Sequence, residues 1–347
     1  MRDRNTSLKK LARGDRVAIL SPSSGLAGLF PWVLDYGLDR LENIFGLVPI
    51  EFPTTRMKNA SPEERASDIN DAFQNSDIKA IITTIGGDDQ IKVLKYIDQN
   101  ILSKNPKPFF GFSDNTNLAQ LLYRLNIPSY YGGAIMPQFA MQNDMHKITI
   151  DSLNNALFNV GEFQINQSKE FTDTDLDWAI ESNLTKTRAM EKNDGWHWDG
   201  KGTVEGTLWG GCVETLLAQL STNIFLPESE LLKNLVIFLE TAEDIPEHWI
   251  IECVINSLGE RDILKNTQAV LIGRPKAWQL EKQFSKEEKT RYKLAQQEIV
   301  KKSVRYYNKE ALIVQNMDFG HTDPQVIIPM GNKARIDSIT KKIYFTY

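Results

Sequence analysis

The sequence predicts an α/β protein whose first half is a parallel sheet flanked by helices and whose second half is a separate globular unit. Three observations carry this. Short apolar runs alternate with helical patterns through the first 130 residues, a βαβα rhythm. At 347 residues the chain is about twice the usual single-domain size. A polar stretch with neither a twofold nor a 3.6-fold period separates two patterned regions, at about residues 161–203.

The elements follow in order. Arg16 to Leu20 (RVAIL) reads as a buried strand ending in Ser21-Pro22-Ser23-Ser24-Gly25, and a helical pattern occupies Phe30 to Phe45. Leu47 to Glu51 reads as the next strand. Ser61 to Phe73 reads as a helix, with Ser61 as N-cap and Glu64 as its capping-box partner. Ala80 to Ile85 is a strand halted by Gly86-Gly87-Asp88-Asp89, and Gln90 to Ile97 continues as a helix. Pro108 to Phe112 is a strand, and Thr116 to Leu125 an amphipathic helix. After Gly202, the strands are expected at Thr203–Leu208, Leu235–Leu239, Ala269–Ile272 and Leu312–Val314. Helices are expected at Val213–Leu220, Ile250–Leu258 and Phe284–Tyr306. From Ile327 the residues alternate as antiparallel strands do. The units are therefore drawn at 1–160 and 202–347, with 161–201 as a linker and a tryptophan-bearing loop.

Composition narrows the function classes. The chain is 41% hydrophobic, has net charge −5 and contains only two cysteines. No basic excess invites nucleic acid, and two thiols argue for a reducing compartment rather than a disulfide framework. Zinc-type CxxC spacing is absent, so no metal and no cofactor is expected. No apolar run has a spanning length and no signal-peptide core precedes Arg16, which gives a cytoplasmic expectation without a membrane partner. A small molecule or peptide is the expected partner.

Four sites place a reactive or glycine-rich group at the end of an apolar strand, where open α/β sheets bind ligands. Ser113 stands at a strand–turn–helix junction (FFGFSDNTNL), where helix N–H groups favour developing negative charge. The second glycine of a GxSxG elbow is missing, and a helix-capping role for Ser113 or Asp114 is the plainer alternative. His321, in Asp318-Phe319-Gly320-His321-Thr322-Asp323-Pro324, has the residue type that activates a serine; an ordinary surface histidine is the alternative. Glu240 ends the strand LVIFL and fits a carboxylate that orients an imidazole, with Glu243 and Asp244 as rivals. Gly86-Gly87 permits backbone N–H groups to face a cleft, as an oxyanion hole with the Asp114 N–H or as a phosphate-cradling turn. Trp196 and Trp198, like Trp178, fall in the polar stretch. The first two are candidates for stacking on a planar ligand or for pinning the loop. Arg274 follows a strand and suits a substrate carboxylate or phosphate, or is a plain surface arginine.

Seven motifs in fixed order, GDRVAILSPSS, TTIGGDD, FFGFSDNTNL, YYGG, GTLWGGCVETL, IFLETAED and MDFGHTDP, resemble the LD-carboxypeptidase family of serine peptidases over essentially the whole chain. That family includes murein LD-carboxypeptidases and the microcin C self-immunity branch. The resemblance implies a Ser113, Glu240, His321 triad and oxyanion N–H groups from Gly87 and Asp114. It also implies a smaller C-terminal domain with its own sheet, a site between domains, and a homodimer. A tryptophan in the 172–200 segment resembles the nucleobase-stacking residue of the microcin branch. The expected reaction is therefore cleavage of the amide of an aminoacyl nucleotide such as an acyl-sulfamoyl adenylate. The alternatives are murein carboxypeptidase activity, removing a terminal D-alanine, and a two-lobed ligand-binding protein without catalysis.

Overall fold

The computed structural model describes residues 8–347. Two sheets dominate. The first has six strands in the order Ile328–Met330, Ser129–Tyr131, Phe109–Gly111, Ile78–Thr83, Arg16–Leu20 and Val48–Glu51. All its pairings are parallel except that of Ile328–Met330, which runs antiparallel to Ser129–Tyr131. Its central strands read as unbroken apolar runs because helices cover both faces.

The second sheet has eight strands, in the order Glu162–Ile165, Lys342–Thr346, Lys333–Asp337, Thr203–Cys212, Leu235–Glu240, Ala269–Gly273, Leu312–Met317 and His197–Asp199. Its parallel centre runs from Thr203–Cys212 to Leu312–Met317, with antiparallel strands on both sides. Glu162–Ile165 and His197–Asp199, from the stretch read as linker and loop, form its two edges. Mixed α/β architecture with parallel sheets, helices on their faces and two domains is thus as the sequence predicts. Among the described residues, no helix is long and apolar enough to cross a membrane.

Local chemistry explains most boundaries. Helix Pro62–Gln74 begins at Ser61, whose hydroxyl accepts from the Glu64 N–H while the Glu64 carboxylate accepts from the Ser61 N–H. The second such box, Ser285 with Glu288, starts the 22-residue helix Lys286–Tyr307. Each cap contributes about 1 kcal/mol. Helix Pro31–Phe45 stops at Gly46 in the left-handed region. The expected helix at Gln90–Ile97 is instead two short 3₁₀ turns, Gln90–Lys92 and Leu94–Tyr96.

The halves are joined by close packing. Helix Thr116–Arg124 lies against strand Thr203–Cys212. A methyl group at Gly211 would come within 2.4 Å of Thr116, so only glycine admits that approach. Gln120 accepts from the Trp209 indole N–H at 2.8 Å and donates to Gly210 O at 2.8 Å. Gln219 donates to Asn117 at 2.6 Å. These buried bonds tie the first unit to the second.

Candidate active site

Ser113 follows strand Phe109–Gly111 and opens a 3₁₀ turn that runs into helix Thr116–Arg124. Its φ is +60°, a conformation costing a non-glycine residue roughly 1–2 kcal/mol. The surroundings hold it there. Asn115 donates to Ile85 O and Phe112 O, both at 3.1 Å, and accepts from Gln90 Nε2 at 2.9 Å. The Asp114 carboxylate accepts from the Gln90 N–H and from Asn117 Nδ2, each at 2.8 Å. Burial raises the Asp114 carboxyl to about 6 against the hydrogen bonds from Gln90 and Ser23. No side-chain cap bond starts either helical turn, so the capping role for Ser113 is not realised. Gly86 passes so close that a Cβ there would lie 2.8 Å from Ser113 Cβ and 2.9 Å from its Oγ.

Glu240 ends its strand fully buried. Its Oε2 accepts from His321 Nδ1 at 2.6 Å, and its Oε1 accepts from the Tyr131 hydroxyl at 2.5 Å. Tyr131 Oη in turn accepts from the Ser113 N–H at 3.2 Å. A continuous relay therefore links the Ser113 backbone to the imidazole through residues of both halves. Gly320, at φ +93°, lets the chain pass over this carboxylate; a Cβ there would sit 2.5 Å from Glu240 Oε2. The second imidazole nitrogen is occupied too, since Nε2 lies 2.9 Å from Glu243 Oε2. Burial would lower the His321 pKa, but the two carboxylates prevail and hold it well above its ordinary value. Burial works the other way on Glu243, yet His321 draws its carboxyl down to about 2.

Ser113, His321, Gly86, Gly87 and Glu243 line one cavity of about 370 Å³. Its wall also includes Phe30, Phe112, Met136, Trp178, Asp175, Arg188 and Lys276. Among the described residues, no three His, Cys, Asp or Glu side chains are grouped to hold a metal.

Three residues considered for substrate contact lie off the cavity wall. Trp196 is buried with its indole N–H on Asp318 Oδ2 at 3.0 Å. Trp198 lies in an edge strand with its ring 6.4 Å from that of Trp196. Neither lines the cavity; the tryptophan that does is Trp178, whose backbone carbonyl accepts from the Trp32 indole at 2.9 Å. Arg274 is also outside the cavity wall. It is fully buried, pairs with Asp318 at 2.6 Å and stacks on Phe171 at 4.4 Å, so its charge is already matched. Asp318 thus takes both the arginine and the indole. Tyr131, Gln90 and Asn115 carry no individual signal in the sequence, although all lie within or beside the quoted motifs.

The Glu243 contact has a measurable consequence. A general base needs a neutral Nε2, so its raised pKa moves the acid limb of kcat/KM above the ordinary histidine range. Glu243→Gln should lower that limb by roughly one to two pH units; a limb that stays put would mean Glu243 does not face the imidazole in solution. The sign for stability is the same. A raised folded-state pKa stabilises fully below about 6.5 and is lost as pH rises through the folded value.

The fold recurs in known proteins. A structure of MccF in complex with aspartyl sulfamoyl adenosine superposes with a TM-score of 0.82 over 97% of both chains at 23% identity. An MccF-like protein from Streptococcus pneumoniae in complex with AMP gives 0.83 over 96% of this chain and 99% of that one at 24% identity. In sequence, the microcin C7 self-immunity protein MccF of Escherichia coli is 25% identical over 83% of this chain and 80% of its own length. A probable murein peptide carboxypeptidase of Bacillus subtilis is 23% identical over 97% and 93%. Residues 17–132 match the LD-carboxypeptidase N-terminal domain and residues 205–336 the C-terminal domain, and with both domains in order the chain belongs to the LD-carboxypeptidase family of serine-type peptidases.

Proposed function

We propose that this hydrolase cleaves the amide bond of an aminoacyl nucleotide, of the acyl-sulfamoyl adenylate kind, through Ser113, His321 and Glu240. The supporting observation is His321, held by Glu240, on the wall of a cavity that Ser113 also lines. His321, freed from Glu243, takes the Ser113 proton as Oγ attacks the carbonyl carbon. The N–H groups of Gly87 and Asp114 stabilise the oxyanion, the latter at a helical start where such groups lack partners within the turn. His321 then gives its proton to the departing nitrogen. Water, deprotonated by the same base, releases the acyl group and restores Ser113.

Trp178 supports the nucleotide branch, because it is a planar residue on the cavity wall. We expect hydrolysis of aspartyl-sulfamoyl adenosine to exceed that of a murein tetrapeptide. Trp178→Ala should weaken the nucleotide substrate by about 1–3 kcal/mol, with less effect on the peptide. Faster turnover of the tetrapeptide would support the second reading, a murein carboxypeptidase, which the B. subtilis relative over nearly the whole chain favours. The homodimer and the cytoplasmic location belong to the same proposal; they rest on the family resemblance and on two free cysteines, Cys212 and Cys253.

A further inference from the structure

The cavity wall carries a second charged cluster that the acyl transfer does not use. Arg188 and Lys276 both line it, with side chains only 8% and 7% exposed. Arg188 donates from Nη2 to Asp323 Oδ2 at 2.7 Å and from Nη1 to Thr174 O at 3.3 Å. Its Nη1 also lies 3.5 Å from Asp175 Oδ1, and Lys276 Nζ pairs with Asp175 Oδ2. Asp175 therefore faces both cations, and it is itself 45% exposed, in a stretch with neither helix nor strand. The other charges facing the cluster are engaged. Glu243 feels Lys276 but is held by His321, and His146 senses both Asp323 and Arg188.

The energetics are asymmetric. Lys276 and Arg188 are held in the wall, and leaving either unpaired would be costly. Asp175 is half in water, so detaching it costs little once another anion takes its place. Its carboxylate thus stands where a substrate oxyanion would be held by an ammonium and a guanidinium. Asp175, Trp178 and Arg188 also come from one short segment, so an indole residue and a cationic one line the cavity together.

We propose that Lys276 and Arg188 form an anion subsite, closed in the free protein by Asp175 and taken over by an oxyanion that the substrate carries beside its scissile amide. This rests on the reading of the cavity as the site of amide hydrolysis, and it adds that the substrate carries negative charge: a phosphoryl-type group or a peptide carboxylate. Calorimetry on the full chain carrying Ser113→Ala distinguishes the sources, using AMP against adenosine and a murein tetrapeptide against its C-terminal amide. In at least one pair the anionic member should bind about tenfold tighter. Adding Lys276→Met should remove that preference. Adding Asp175→Asn, which removes the internal competitor, should strengthen the anionic member several-fold and leave the neutral one unchanged. Thermal melts of each variant verify folding. The subsite is overturned if neither pair discriminates by charge, if neither anionic ligand binds, or if both substitutions move charged and neutral members alike. Turnover by the unmodified enzyme separates the two readings. Cleavage of an amide substrate without this charge signature sinks the subsite alone; the signature without cleavage of either substrate sinks the hydrolase reading alone.

Discussion

Ser113→Ala is expected to lower kcat on the cleaved amide by roughly 10⁴–10⁶ while the melting temperature stays within a few degrees. The asymmetry follows from the setting. Among the described residues the Ser113 side chain serves as no helix cap, while the positive φ is enforced by Asn115, Asp114 and the close pass of Gly86. Alanine inherits the same backbone strain, so the fold loses almost nothing. The chemistry loses its only hydroxyl at the turn, and what activity remains comes from binding and oxyanion stabilisation. A variant with near-normal turnover would remove Ser113 from the mechanism. A variant that melts far below the parent would mean the hydroxyl has a structural partner.

Glu240→Gln should cost about 10³–10⁴ in kcat. The carboxylate receives two donors, His321 Nδ1–H at 2.6 Å and the Tyr131 hydroxyl at 2.5 Å. A carboxamide offers one acceptor oxygen and one NH₂, so it cannot accept both. Either the imidazole tautomer changes or the tyrosine must reverse its bond. Because Ser113, His321 and Glu240 act as one unit, Ser113→Ala combined with Glu240→Gln should be no slower than Ser113→Ala alone. Losses that multiplied would show the carboxylate acting outside the relay. A single-variant loss under tenfold would exclude it as the orienting group.

The sequence and structure agree where the signals are local. Strand ends at Leu20, Thr83, Gly111 and Glu240 fall within two residues of where apolar runs meet glycine, serine or acid, and both α/β units can be read from those marks. Both capping boxes follow the Ser-x-x-Glu spacing. Disagreement arises where a distant partner decides. Gln90 has helical neighbours, but its N–H goes to Asp114 and its side chain to Asn115, and the expected helix is two 3₁₀ turns. Trp178, Trp196 and Trp198 look alike in one polar stretch. Asp318, more than a hundred residues away, takes the indole of Trp196 and with it the loop's inner side. The same aspartate takes Arg274. Glu243 was read as a rival of Glu240 for one nitrogen of His321; they hold opposite nitrogens, a geometry that no spacing along the chain encodes.

The strand Ile328–Met330 has a bearing on biosynthesis. It closes the outer edge of the first sheet beside Ser129–Tyr131, and Tyr131 is the residue that touches both the serine turn and the buried glutamate. During translation that edge stays open, with unpaired peptide groups available to any other extended chain, until nearly two hundred further residues have been made. A nascent polypeptide would thus hold its serine turn long before it could use it. Separately expressed halves should be inert and prone to clump unless mixed.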